Sequence, residues 1–352
     1  MNAGTTDAPA TGPTGPTGPS ADTLLHELSS SPMAASLRRE LLERWPTTPD
    51  RVRAISRYAL LAPGKALRPL LLVASADAVG GSYDGVLPAA MAVEYLHVAT
   101  LIHDDVIDDD EFRRGQRSVH AHYGTADAIV TGDFLILTMF TALAECVERG
   151  VPAPAVLEAV RVLAEAGADV CRGQAKEAEL TSDPSSSFAD YEAMIALKTG
   201  ALFRGVCRAG AILGGAGPEH TEAVTRFAEH LGLAFQMYDD LLPYLWDTGT
   251  TGKPNTSDVD NLRPTFPVLL GYEVAGKRDR ERFTEALSGR IPAAEAYPLM
   301  RGLLESTGAL HRGRARAEAE AALAREQLAG LPSSEGAGLL AAVAELSINR
   351  DR

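Results

Sequence analysis

The chain has 352 residues, 45% of them hydrophobic, enough for one large domain or two ordinary ones with a substantial core. A formal net charge of −14 argues against a nucleic-acid backbone as partner, because that binding relies on clustered Lys and Arg. Cys146, Cys171 and Cys207 are too few and too scattered for a disulfide framework or a zinc site, and read as buried small residues in a reducing cytoplasm.

Residues 1–20, "MNAGTTDAPATGPTGPTGPS", carry a short Gly-Pro-Thr repeat whose composition cannot bury enough apolar surface to offset its ordering entropy. This segment is expected to be a disordered tail, either a variable spacer or a docking tag. It has no basic start and no apolar core, so it is not a secretory signal. Nowhere do 18 uncharged apolar residues run together, so no membrane-spanning segment is expected.

From residue 21 onward the chain reads as helix after helix. "AAMAVEYLHVATLIHDDVI", "AIVTGDFLILTMFTALAECV", "PAVLEAVRVLAEAGADVCRGQ", "YEAMIALKTGALFRGVCRAGAIL" and "HTEAVTRFAEHLGLAFQMYDDLL" place apolar residues at helical spacing with abundant Ala and Leu. Helices this apolar are expected to be buried on several faces. Short punctuators separate them, together with one long polar loop, "DTGTTGKPNTSDVDNLRPT", whose length hints at function. The expected architecture is all-α, with residues 21–352 forming a single large multi-helix domain around a central cavity.

The strongest chemical signal is "LIHDDVIDDDEFRRGQRSVH", residues 101–120. In a helix Asp104 and Asp108 are one turn apart on one face, so their carboxylates can converge on a hard cation such as Mg²⁺. Arg113 and Arg114 follow directly, and acids that grip cations beside arginines that grip an anion make a site for a metal-bound polyphosphate. A second acid pair, Asp239 and Asp240, lies 135 residues later on another apolar helix. Two such helices facing each other across an apolar cavity suit a diphosphate leaving group. "PGKALRP" offers Lys65 and Arg68, "LKTG" offers Lys198 and Thr199, and "TGKP" offers Lys253 as further phosphate ligands. Each is weak alone, since an exposed Lys is normally a solvated surface residue.

Taken in order, these stretches resemble the trans-isoprenyl diphosphate synthases, the polyprenyl synthetases that make geranyl, farnesyl, geranylgeranyl and longer diphosphates. The likeness is to the short-chain type, such as geranylgeranyl diphosphate synthase, and runs from about residue 55 to about residue 270. "HDDVIDDDEFRRG" matches the family's first aspartate-rich motif, and "GDFLI", "GQ", "KTG", "FQMYDD", "GKP" and "TFP" follow in the family's order. The resemblance implies that Asp104, Asp108 and, opposite them, Asp239 hold Mg²⁺ ions, three with bound diphosphate. It implies that Arg113, Lys198 and Lys253 clamp the diphosphate of an allylic substrate, with Thr199 and Gln236 near the carbocation. Lys65, Arg68, His97 and Arg114 would hold isopentenyl diphosphate. His103 reads as a packing or supporting residue. A homodimer is expected by the same resemblance, in the cytoplasm, and the tail is similar to tags that load enzymes into bacterial protein shells.

Three positions depart from the family pattern. Ala66 stands where an arginine is usual in the isopentenyl diphosphate pocket, and Arg263 where lysine is common. Pro243 replaces the third acid of the second motif; it removes an N–H and should kink the helix, with Asp247 placed to come inward on the bent segment. Three functions are compatible with these changes: chain elongation, ionisation of an allylic diphosphate for cyclisation or transfer to another acceptor, and a non-catalytic partner subunit. Small Ala99 and Thr100 before the first aspartate imply a product of twenty carbons or longer, with Leu96, Phe134 and Leu137 as deeper residues that set the channel's depth.

Overall fold

Ser31 and Asp50 open the first two helices among the described residues by accepting the backbone N–H groups of Ala34 and Arg53, which would otherwise be orphaned at a helix start. These helices are α1 (Pro32–Arg44) and α2 (Arg51–Leu60). The computed structural model describes residues 30–64, 66–245 and 256–349. The tail, Lys65, Asp247 and Lys253 therefore lie outside the described residues. After α3 (Leu67–Ala78) comes the axis of the fold, α4 (Tyr83–Asp108), 26 residues long. From Val86 to Ile102 nearly every side chain of α4 is buried, including the polar Glu94 and His97. Each such fully buried large apolar side chain contributes about 1.5–3 kcal/mol of hydrophobic stabilisation.

α4 stops where Asp109 turns left-handed (φ 54°) and its N–H bonds to the Asp105 carbonyl, a conformation that Asp tolerates better than most side chains. A small hairpin follows, β1 (Phe112–Arg113) and β2 (Gln116–Arg117), with Arg113 paired to Gln116. Its two turn residues, Arg114 and Gly115, both have positive φ (52° and 79°), the requirement of the tight turn that matches strand twist. Strands of two residues leave no alternation to read, which is why an all-helical pattern conceals them.

The chain continues through α5 (Val119–Tyr123), α6 (Thr125–Glu148), α7 (Ala153–Leu180) and α8 (Phe188–Ile195), then a π-helical turn at Ala196–Gly200. Next come α9 (Ala201–Leu213), α10 (Pro218–Asp239), α11 (Leu242–Leu245), α12 (Ser257–Asp260) and α13 (Phe266–Val274). α14 (Lys277–Ala286), α15 (Ala293–Ser306), α16 (Ala309–Glu326) and α17 (Glu335–Ile348) complete the described chain. α4 packs chiefly against α6 and α3, while α9 packs against α7, α10 and α3. The largest buried cluster surrounds α4, and a second one, containing Tyr191, Met237, Tyr238 and Phe266, lies under the end of α10.

Among the described residues α4 and α6 are long and apolar enough to cross a membrane by length and composition alone, with acids such as Glu94 and Asp133 inside their apolar runs, and α4 is a core helix of the fold. Three expectations need correction. α6 is not buried all round: Ile129, Val130, Leu137, Phe140 and Val147 are exposed on it. Leu137 is 66% exposed, so it lies on the outer surface of this chain and not deep in a channel. Cys171 is also exposed, unlike Cys146 and Cys207, because it falls on the solvent side of α7.

Candidate active site

Asp104, Asp108, Arg113, Lys198, Thr199, Gln236 and Asp240 line one cavity of about 220 Å³ between the C-terminal ends of α4 and α10. Helical spacing explains the first pair: four residues apart, their side chains leave α4 on the same face. Burial raises the pKa of Asp104, and the Asp108 carboxylate adds to the rise, against the opposing pull of Lys198 and Arg113. An acid held in this way is short of positive charge, and its oxygen donors suit a hard divalent cation. Among the described residues no three Asp, Glu, His or Cys side chains already converge as a metal cage. Cations of the protein engage the acids instead: Arg113 bonds Asp105, Lys198 bonds Glu177, and Arg263 Nη2 lies 2.9 and 2.8 Å from the two oxygens of Asp108.

Lys198 and Thr199 sit on the π-helical turn, whose widened backbone interrupts the run from α8 into α9. The turn lies directly on α7 at Gly173, where an added Cβ would come within 2.3 Å of the Lys198 nitrogen. Thr199 donates to Gln236 Oε1 at 2.7 Å, and Gln236 Nε2 donates to Asp240 Oδ1 at 2.8 Å. Asp240 also accepts from the Tyr191 hydroxyl (2.8 Å) and the Phe266 backbone N–H (2.9 Å). Burial, helped by nearby Asp258, pushes Asp240 up to about 7 despite those three donors. Of the acid pair it is Asp240 that lines this cavity. Asp239 is the last residue of α10, part-buried, and its charge is felt at Arg68.

Arg68, His97, Arg114 and Glu94 form a second charged cluster. Arg68 Nη1 lies 3.1 Å and Arg114 Nη2 3.4 Å from His97 Nε2. Two guanidinium donors on one ring nitrogen make Nε2 the acceptor, and burial together with the charges of Arg68 and Arg114 holds the His97 pKa well below its usual value. His97 therefore aligns the two arginines as an uncharged imidazole. Burial lowers Arg68 to about 10, with Arg114 adding to the fall and Glu94 opposing it. Arg68 Nε is buried without a hydrogen-bond partner among the described residues, an unspent donor of the kind a bound anion would use, whereas Glu94 Oε2, also without one, is an acceptor whose part is to balance the arginine charge. Ala66, at the start of α3, has φ 44° and brings no charge to this cluster. His103 packs over Gly132 of α6, with Nε2 3.7 Å from Asp133, as a supporting residue would.

Pro243 interrupts the helix rather than bending it: α10 ends at Asp239, whose carbonyl the missing N–H would have bonded, and Pro243 lies at the second position of α11, where no N–H is needed. Its carbonyl accepts from Tyr297 at 2.7 Å, and the neighbouring Tyr244 ring stacks on Tyr297 at 5.7 Å. The Pro243→Asp variant keeps this backbone anchor, and its turnover is expected to stay within about threefold of the parent in a product-formation assay. A tenfold gain or more would show that the missing acid limits the protein.

Sequence reasoning missed Glu177 and Asp258 as cavity residues. Glu177 follows Gly173 by four positions and so shares its face of α7, which is the only signal that pointed to it. Asp258 lay within the long polar loop that was singled out only as a whole.

Residues 49–297 match the Polyprenyl synthetase family. A short chain isoprenyl diphosphate synthase of Methanothermobacter thermautotrophicus is 34% identical over 304 residues, 86% of this chain and 92% of that protein. Geranylgeranyl pyrophosphate synthetase from Pyrococcus horikoshii Ot3 superposes with a TM-score of 0.84 at 30% identity, covering 94% of this chain and 99% of that one. Polyprenyl synthase from Caulobacter crescentus CB15, solved with calcium and isoprenyl diphosphate, does so with a TM-score of 0.84 at 31% identity, covering 95% and 98%. With residues 49–297 matching the family and nearly the whole helical frame superposing on these solved structures, the chain belongs to the polyprenyl synthetase family.

Proposed function

We propose that this protein is a Mg²⁺-dependent prenyltransferase that joins isopentenyl diphosphate to an allylic diphosphate, giving a product of twenty carbons or longer. The observation that carries this reading is the pairing of two sites on one helix. His97 with its arginines and Asp104 with its cavity are seven residues apart on α4, hence on one face and separated by roughly 10 Å along the axis. Two diphosphates held side by side in that way bring their organic parts together.

In this reading Arg113, Lys198 and Lys253 hold the allylic diphosphate, and Arg68, Arg114, His97 and Lys65 hold isopentenyl diphosphate. Mg²⁺ held by Asp104, Asp108 and Asp239 would neutralise charge on the leaving diphosphate. As the allylic C–O bond breaks, the Thr199 and Gln236 oxygens face the developing cation. The isopentenyl double bond supplies the electron pair for the new C–C bond, and a proton leaves the adjacent carbon to the departed diphosphate. Ala99 is buried and Thr100 is short, its hydroxyl turned back to the His97 carbonyl, so neither places an aromatic ring in the turn before Asp104, which supports a long product.

The exposed apolar residues of α6 recur at positions 130 and 137, and 140 and 147, a seven-residue repeat on one face, and support pairing of two copies through this helix. Light scattering is expected to give the mass of two chains, and Leu137→Arg the mass of one; a parent that runs as one chain would end that reading. The functional assay supplies Mg²⁺ with dimethylallyl, geranyl or farnesyl diphosphate, with and without isopentenyl diphosphate, and resolves polar and hydrocarbon products. Longer diphosphates formed only with isopentenyl diphosphate are expected. Hydrocarbons or alcohols from the allylic substrate alone would replace elongation by cyclisation, and no turnover at all by a non-catalytic subunit.

A further inference from the structure

Arg263 is the residue at which this cavity is already filled by the protein itself. It follows α12 on the segment leading into α13, with its backbone N–H bonded to the Asp258 carbonyl at 2.8 Å. From there Nη2 reaches both oxygens of Asp108, at 2.9 and 2.8 Å, and Glu177 Oε2 at 3.7 Å. Arg263 and Asp108 are 24% and 19% exposed, so solvent screens the contact only in part. A guanidinium between two carboxylates occupies the position in which a divalent cation would gain most.

We propose that Arg263 is a latch on Asp108: it holds the carboxylate until a diphosphate draws the guanidinium away, so that metal and diphosphate enter the cavity cooperatively. The proposal rests on the reading of this cavity as a metal–diphosphate site. Its chemical basis is that guanidinium prefers a phosphate-type anion at least as well as a carboxylate, and can pair with it through two parallel N–H bonds. A diphosphate in the cavity, between Lys198 and Arg113, offers Arg263 that alternative. Asp108 is then free, and by reciprocity any metal bound there strengthens the hold on diphosphate. Burial would lower the Arg263 pKa, but the carboxylates of Glu177, Asp108 and Asp258 outweigh it and raise it, so the latch stays charged across the working pH range.

The test is direct binding of Mn²⁺, as a spectroscopic stand-in for Mg²⁺, to the whole protein by electron paramagnetic resonance, with and without inorganic diphosphate. In the parent, diphosphate is expected to tighten metal binding at least about fivefold, the lower end of ordinary coupling. Arg263→Gln is expected to bind Mn²⁺ more tightly than the parent when diphosphate is absent, and to lose most of the enhancement when it is present. Arg263→Lys separates a latch from a mere loss of charge. Lysine keeps the charge but is one bond shorter and cannot present the guanidinium fork, so the latch predicts a shift toward the glutamine variant. A pure charge effect leaves the lysine variant equal to the parent, and that result overturns the proposal. So does a parent that binds metal with the same coupling as both variants, which leaves the metal–diphosphate reading of the cavity standing. A parent that binds no Mn²⁺ under either condition overturns both.

Discussion

Asp104→Ala is expected to lower turnover about a thousandfold or more, roughly 4 kcal/mol of lost stabilisation of the reacting diphosphate, measured as incorporation of labelled isopentenyl diphosphate. The size follows from position. Asp104 faces the cavity from the last turns of α4 beside Asp108, within the fields of Lys198 and Arg113. The melting temperature should hold or rise, because burial and the charge of Asp108 both work against an ionised Asp104 in the folded chain. That combination separates a lost functional group from a lost fold. Asp109 provides the contrast: it is 97% exposed, so Asp109→Asn, which keeps a side chain tolerant of its left-handed backbone, should stay within about twofold of the parent. A severe loss in Asp109→Asn, or a mild one in Asp104→Ala, would place the chemistry elsewhere in the acidic run.

What could be read from the sequence was whatever a helix repeats. The four-residue spacing of Asp104 and Asp108, the seven-residue spacing from His97 to Asp104 and the apolar faces of α4 follow from local geometry, and the structure keeps them. What could not be read depends on packing between distant segments. Nothing local says that Arg263, 155 positions from Asp108, closes on it, or that Asp240 is the cavity-lining member of its pair because Tyr191 and Phe266 hold it there. The exposed side of α6 and the outward Cys171 were hidden for a related reason: their apolar or small character is the same whether the face meets the core or solvent. At Pro243 the interruption falls where local chemistry put it, at the Asp239 carbonyl four residues back, but its form was not legible: one helix ends and a short new one begins, where a bend in a continuous helix was expected.

Gly173→Ala is expected to reduce turnover about a hundredfold while the substrate-free protein loses only about 1–3 kcal/mol of stability. The added methyl would lie 2.3 Å from the Lys198 nitrogen, 2.5 Å from its Cα and 2.8 Å from the Leu197 carbonyl carbon. All three are backbone atoms, so no rotamer change relieves the overlap. The π-helical turn must move off α7, and it carries Lys198 and Thr199 with it. Lys198 then leaves Glu177, and Thr199 loses the geometry of its bond to Gln236. A shift of about 1 Å in groups that position a reacting molecule is enough for an effect of this size. Gly167 lies on the same helix, six positions earlier, where an added Cβ meets only Leu96 side-chain carbons at 3.7 and 3.8 Å, an ordinary contact. Gly167→Ala should therefore keep full turnover and gain about 0.5–1 kcal/mol from the lower chain entropy of alanine. If thermal melts and steady-state rates show the two variants behaving alike, then Gly173 is not what seats the lysine-bearing turn, and the position of Lys198 is set from α9 and α10 instead.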